Sequence, residues 1–124
     1  MKKFVIIALI TVAIFGQPAQ AAGVMEPKTM QEFRSQVGFG KVAIFLGTMG
    51  CRHCRAFLPK FREAAAANNN TKFIFVELAS PQLSDLSHEY RTQSPTLVVL
   101  KNGTEVRRVP ATDLNKQSLQ AAIQ

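Results

Sequence analysis

The sequence has no tryptophan, one tyrosine and only two cysteines in 124 residues. Two cysteines are too few to hold a small domain together by disulfides. They exclude a four-cysteine zinc site, and with two histidines the most on offer is a two-Cys, two-His set. Acidic residues are scarce: 8 Asp and Glu stand against 15 Lys and Arg, a formal charge of +7. The length admits one domain and excludes a large multi-domain enzyme or a fibrous protein. What is plentiful is apolar material, at 47% of the chain, which excludes disorder.

Long apolar runs are also few. Phe4 to Phe15, after Lys2 and Lys3, contains a single Thr. Its 12 residues fall short of the roughly 20 needed to cross a membrane. Gly16 and Pro18 break it, and Ala19-Gln20-Ala21 sets small residues at the two positions a signal peptidase reads. The pattern predicts a secretory signal peptide over residues 1–21, cut after Ala21, and one domain over 22–124. A buried N-terminal helix or an uncleaved anchor is the alternative. No Cys follows the cut to carry a lipid, and no Arg pair marks the twin-arginine route. The expected location is therefore outside the cytoplasm, as in the periplasm of a Gram-negative bacterium, where thiols can be oxidised. Losing Lys2 and Lys3 lowers the charge from +7 to +5. Without a clustered basic stripe or exposed aromatics, that excess reads as a solvated face and not a nucleic-acid surface.

Thr29-Met30-Gln31-Glu32 reads as a capping box opening a helix to about Val37. Lys41 to Leu46 suits a strand buried on both faces. From Cys51 to about Ala67 the pattern is helical, with Cys54, Leu58, Phe61 and Ala65 on one face. Lys72 to Leu78 is a second strand. Ser80-Pro81 predicts a helix through Leu83, Leu86 and Tyr90. Thr96 to Leu100 and Thr104 to Val109 form a hairpin about Asn102-Gly103. Asn115 caps a last helix, with Leu114 and Leu119 as a hydrophobic staple. The order predicts an α/β domain: one mixed sheet of about four strands between helices.

The chemistry is concentrated in Cys51-Arg52-His53-Cys54, where a buried strand gives way to a helix. Cys51 at the helix N-terminus meets unsatisfied backbone N–H groups and the positive end of the dipole, and both stabilise a thiolate. Cys54 lies one turn in, on the buried face, and is expected to stay a thiol. The two sulfurs can then bond as a redox-active disulfide, with Cys51 attacking and Cys54 resolving. Arg52, His53 and Arg55 add charge that favours the thiolate, which makes the disulfide form the better oxidant. Such exchange requires no cofactor.

Other readings compete. A structural disulfide across so short a loop restrains little of the unfolded chain. Haem attachment needs His directly after the second Cys, where Arg55 stands. Met49-Gly50-Cys51-Arg52-His53-Cys54 also fits the MxCxxC loop of a soft-metal carrier, and thiolates with a thioether suit Cu(I). That copper module remains an alternative, as does a redox-inactive interaction domain.

The chain resembles the thioredoxin-like family. The resemblance runs from Lys41 onward and rests on the apolar strand, Cys51 to Cys54, Pro59, Ser94-Pro95-Thr96 and the Lys101-Asn102-Gly103 hairpin. It implies a thioredoxin-like fold and an exported thiol:disulfide oxidoreductase acting on thiol- or disulfide-containing proteins, reset by a membrane redox partner. It also implies that Pro95 is cis and faces the cysteines, with Ser94 toward the substrate. The chain is too short for an added dimerisation domain, so a monomer is expected. Departures are visible. Gly50 stands where the family has Trp, and Phe45 where thioredoxins place a buried Asp. Arg52-His53 shares its His with the Pro-His of periplasmic disulfide oxidases. Glu77 is the one charge in its apolar strand, and reads either as a substitute proton carrier or as a solvated strand end.

Overall fold

A computed structural model describes residues 23–92 and 95–123; the expected signal peptide and Ser94 lie outside these. In chain order the elements are β1 (Val24–Met25), α1 (Met30–Val37), β2 (Lys41–Gly47), α2 (Arg52–Ala67), β3 (Lys72–Glu77), α3 (Asp85–Glu89), β4 (Thr96–Lys101), β5 (Thr104–Pro110) and α4 (Lys116–Ile123). A 3-10 turn, Ala111–Asp113, joins β5 to α4.

The sheet has five strands in the order β1-β3-β2-β4-β5, where about four were expected. The additional strand is β1, which pairs Val24 with Phe73 and Met25 with Ile74, parallel to β3. Two residues are too short to show a period of two. As expected from the helical crossover, β2 and β3 run parallel; β4 and β5 run antiparallel to their neighbours.

β2 is the central strand, and its alternation builds two cores. Val42, Ile44 and Leu46 pack with Phe33 of α1 and with Leu83 and Leu86. Ala43 and Phe45 face Cys54, Phe57, Leu58 and Phe61 of α2 and Leu119 and Ile123 of α4. Helices on both faces leave β2 no solvated side, which is why its sequence is continuously apolar.

The caps follow the sequence. Glu32 donates its N–H to Thr29 Oγ1 at 3.1 Å, and Ser118 donates its N–H to Asn115 Oδ1 at 2.8 Å. Asn102 and Gly103 take φ of 52° and 85°, the left-handed pair that a tight hairpin requires. The helix expected from Ser80 is shorter, starting only at Asp85. Before it, Leu83 N–H bonds to the Ser80 carbonyl and Leu86 N–H to that of Leu83. These three-residue steps are turns, with Pro81 in the second position that its fixed φ favours. Leu83 and Leu86 are buried all the same.

Candidate active site

Strand β2 ends at Gly47, and Thr48-Met49-Gly50 carries the chain across to α2. Cys51 is the N-cap of α2, in an extended conformation. Its N–H bonds to the Thr48 carbonyl at 3.0 Å, and its own carbonyl accepts from Arg55 N–H at 3.1 Å. Cys51 is partly exposed, whereas Cys54, one turn in, is fully buried. Both are free thiols.

The two sulfurs differ in chemistry. The backbone N–H and the thiol of Cys54 hydrogen-bond to Cys51 and hold its thiol below the ordinary range. Burial opposes these bonds without outweighing them, and the His53 N–H and the Arg55 charge add smaller effects in the lowering direction. Burial pushes the Cys54 thiol up to about 11, despite the Thr48 N–H that reaches its Sγ at 3.3 Å. Cys51 is thus the more acidic of the two sulfurs and Cys54 the less. The sequence pointed to Arg52 and the His53 imidazole as neighbouring charges. In the structure both side chains are exposed, His53 acts through its backbone, and the charge that acts is Arg55's. Arg55 is anchored by Nη1 on the Met49 carbonyl at 2.7 Å.

Glu77, at the end of β3, is not a freely solvated strand end. Its Oε1 accepts from Met49 N–H at 2.9 Å and its Oε2 from Ala79 N–H at 3.1 Å. Partial burial pushes its carboxyl up, but these bonds and the Thr48 hydroxyl outweigh it and hold the group below the usual carboxylate range. Glu77 is therefore an ionised clasp on the loop before Cys51. Phe45 fills the place of a buried Asp, its ring 4.7 Å from that of Phe57 and 5.2 Å from that of Phe75.

Pro95 is buried at the start of β4, one residue beyond the Leu46–Thr96 pair and so level with Gly47. The register brings it to the same end of the sheet as Cys51. Its carbonyl accepts from Ala111 N–H at 2.9 Å. The cis form expected there belongs to the bond from Ser94, outside the described residues.

Two residues of this site carry roles that the sequence reading missed. Gly47 packs directly against the Cys54 sulfur, and Thr48 supplies that sulfur's N–H donor. A glycine closing a strand before CxxC was the available signal.

A protein-family model described as Thioredoxin matches residues 24–124. The chain belongs to the thioredoxin family. A thioredoxin of Echinococcus granulosus is 42% identical over 60 residues, which cover 48% of this chain and 54% of the relative. The chain thus spans about half the length of the curated relative it matches. Among solved structures, a single-site mutant of a thioredoxin from Halobacterium salinarum superposes with TM-score 0.73 at 16% identity. That superposition covers 84% of this chain and 90% of the other. A thioredoxin of Malassezia sympodialis gives 0.69 at 27% identity, over 82% and 89%. The β1-β3-β2-β4-β5 sheet and the family match favour exchange at the two cysteines over the soft-metal carrier alternative.

Proposed function

We propose that this member of the thioredoxin family is a thiol–disulfide oxidoreductase that exchanges disulfides with exported protein substrates through Cys51 and Cys54. The observation that carries the reading is the asymmetry of the two sulfurs. Cys51 is accessible with a lowered thiol, and Cys54 is buried with a raised one.

In the reducing direction the Cys51 thiolate attacks one sulfur of a substrate disulfide. The substrate S–S bond breaks, a mixed disulfide forms, and the departing substrate thiolate takes up a proton. Cys54 then gives up its proton and attacks Cys51 Sγ, releasing the second substrate thiol. The Cys51–Cys54 disulfide has formed and two electrons have passed to the substrate. Oxidation of a dithiol is the same sequence reversed.

Action outside the cytoplasm, and resetting by a membrane redox partner, are the finer parts of the proposal. They are supported by the pattern from Lys2 to Ala21 and by the His shared with periplasmic oxidases. N-terminal sequencing of the protein from an osmotic-shock fraction is expected to begin at Ala22.

The activity is tested with insulin reduction and dithiol oxidation. Wild type is expected to turn over and Cys51→Ser to be inactive. Cys54→Ala is expected to accumulate mixed disulfides, because the resolving thiol is gone while the attacking one remains. Absence of exchange in wild type would favour an interaction domain instead.

A further inference from the structure

We infer that the substrate segment flanking the exchanging disulfide is acidic, and that Arg52 and Arg55, with His53, recognise it at the mouth around Cys51. This rests on the exchange reading above. Three other arginines have carboxylates: Arg34 on Glu89 at 2.7 Å, Arg62 on Glu26 at 3.6 Å and Arg108 on Glu105 at 2.8 Å. Arg52 and Arg55, like Arg91 and Arg107, have no carboxylate partner among the described residues, but only Arg52 and Arg55 stand at the opening of α2.

Arg55 is nevertheless fixed, because the Met49 carbonyl holds Nη1 at 2.7 Å. A guanidinium carries five N–H donors, so one anchoring bond leaves most of the fork for a ligand. Arg52 and His53 are exposed in the first turn of α2, next in the chain to Cys51. The carboxylate bonded to this loop, Glu77, has both oxygens engaged by backbone N–H groups, of Met49 and of Ala79. The N-terminus of a 16-residue helix adds its own positive potential at the same point.

Activation of Cys51 accounts for the charge of Arg55 but not for that of Arg52, which leaves Arg52 to act on what approaches. Exposed charges of one sign at a docking mouth raise the encounter rate of the opposite charge and repel like charge.

The test uses full-length protein, reduced, and three peptide disulfides identical except for Glu, Ser or Lys on both sides of the cysteine. Second-order exchange rates are divided by those of dithiothreitol with the same peptide, which removes the peptide's own reactivity. The Glu peptide is expected to exceed the Lys peptide by about tenfold at low salt, and the gap to close at about 0.5 M salt. Arg52→Gln is expected to narrow the gap, and Arg55→Gln to narrow it while slowing all three peptides. Equal rates for Glu and Lys, or a gap untouched by Arg52→Gln, overturn the acidic preference and leave exchange standing. No exchange with any peptide overturns both readings.

Discussion

Gly47 and Cys54 are in contact: a Cβ placed on Gly47 would lie 2.7 Å from the Cys54 sulfur and 3.1 Å from Cε1 of Phe45. Neither neighbour can yield cheaply. Cys54 is fixed in α2, and the Phe45 ring is wedged among Phe57, Phe61 and Phe75. A hydrogen in place of a side chain lets the resolving sulfur sit beneath the end of β2.

Gly47→Ala is therefore expected to destabilise the protein by about 1–3 kcal/mol, the usual cost of forcing atoms into a filled core. Urea unfolding measures that directly. Displacing Cys54 is also expected to slow closure of the Cys51–Cys54 disulfide, seen as longer-lived mixed disulfides in quenched-flow samples. Wild-type stability and closure together would show that the helix shifts freely, against this account.

Thiol titration makes the stability of the reduced protein pH-dependent in two opposite senses. Cys51 is lowered on folding, so its contribution is present above the ordinary thiol value of about 8.5 and lost as pH falls through the depressed native value. Cys54 is raised, so its contribution is present below about 8.5 and lost as pH rises toward about 11. Denaturation of the reduced protein at a series of pH values is expected to show a maximum between the two. Cys51→Ser is expected to remove the rising limb, and Cys54→Ala to remove the falling one while weakening the rising one, because the Cys54 thiol helps to lower Cys51.

Much of this architecture was legible in local pattern. The Thr29 N-cap, the continuous apolar β2 and the Asn102-Gly103 turn each encode their own geometry, and each stands where the sequence placed it, although the Glu32 carboxylate takes the N–H of Lys28 and not that of Thr29. The CxxC at the opening of α2 was equally plain. What stayed hidden depends on contacts between distant residues. Strand β1 exists only because β3 offers an open edge. The helix after Ser80 is shortened by turns around Pro81 that satisfy the same residues. Glu77 was conspicuous as a lone charge, but its role emerged only when the fold brought it to Met49, 28 positions earlier.

That role has its own test. Glu77→Ala removes acceptors for the Met49 and Ala79 N–H groups, and is expected to cost about 1–3 kcal/mol in thermal or urea unfolding. Glu77→Gln keeps one carbonyl acceptor and is expected to lose less. The native carboxyl is held down, so its contribution is present above the ordinary value of about 4.3 and lost as pH falls through the native one. Acid unfolding of Glu77→Gln is expected to lack that part of the wild-type slope.

The groups that lower the Cys51 thiol can be separated by substitution, because backbone and side-chain effects respond differently. His53 acts through its N–H, which His53→Ala retains. The rate of iodoacetamide alkylation against pH is therefore expected to keep its midpoint in His53→Ala. His53→Pro deletes the N–H at the second position of α2, in the first turn where proline is tolerated, and is expected to move the midpoint upward. Arg55→Gln removes the charge held beside the loop by the Met49 carbonyl, and is expected to move it upward as well. Arg52→Gln is expected to move it less, since an exposed, untethered guanidinium is screened by water and salt. A higher Cys51 thiol means a less stable reduced form, so His53→Pro and Arg55→Gln are also expected to make the disulfide harder to reduce against glutathione. For this two-electron couple about 30 mV corresponds to a tenfold change in equilibrium. If His53→Ala proved equivalent to His53→Pro, the imidazole and not the amide would be the acting group, and the assignment to the backbone would fall.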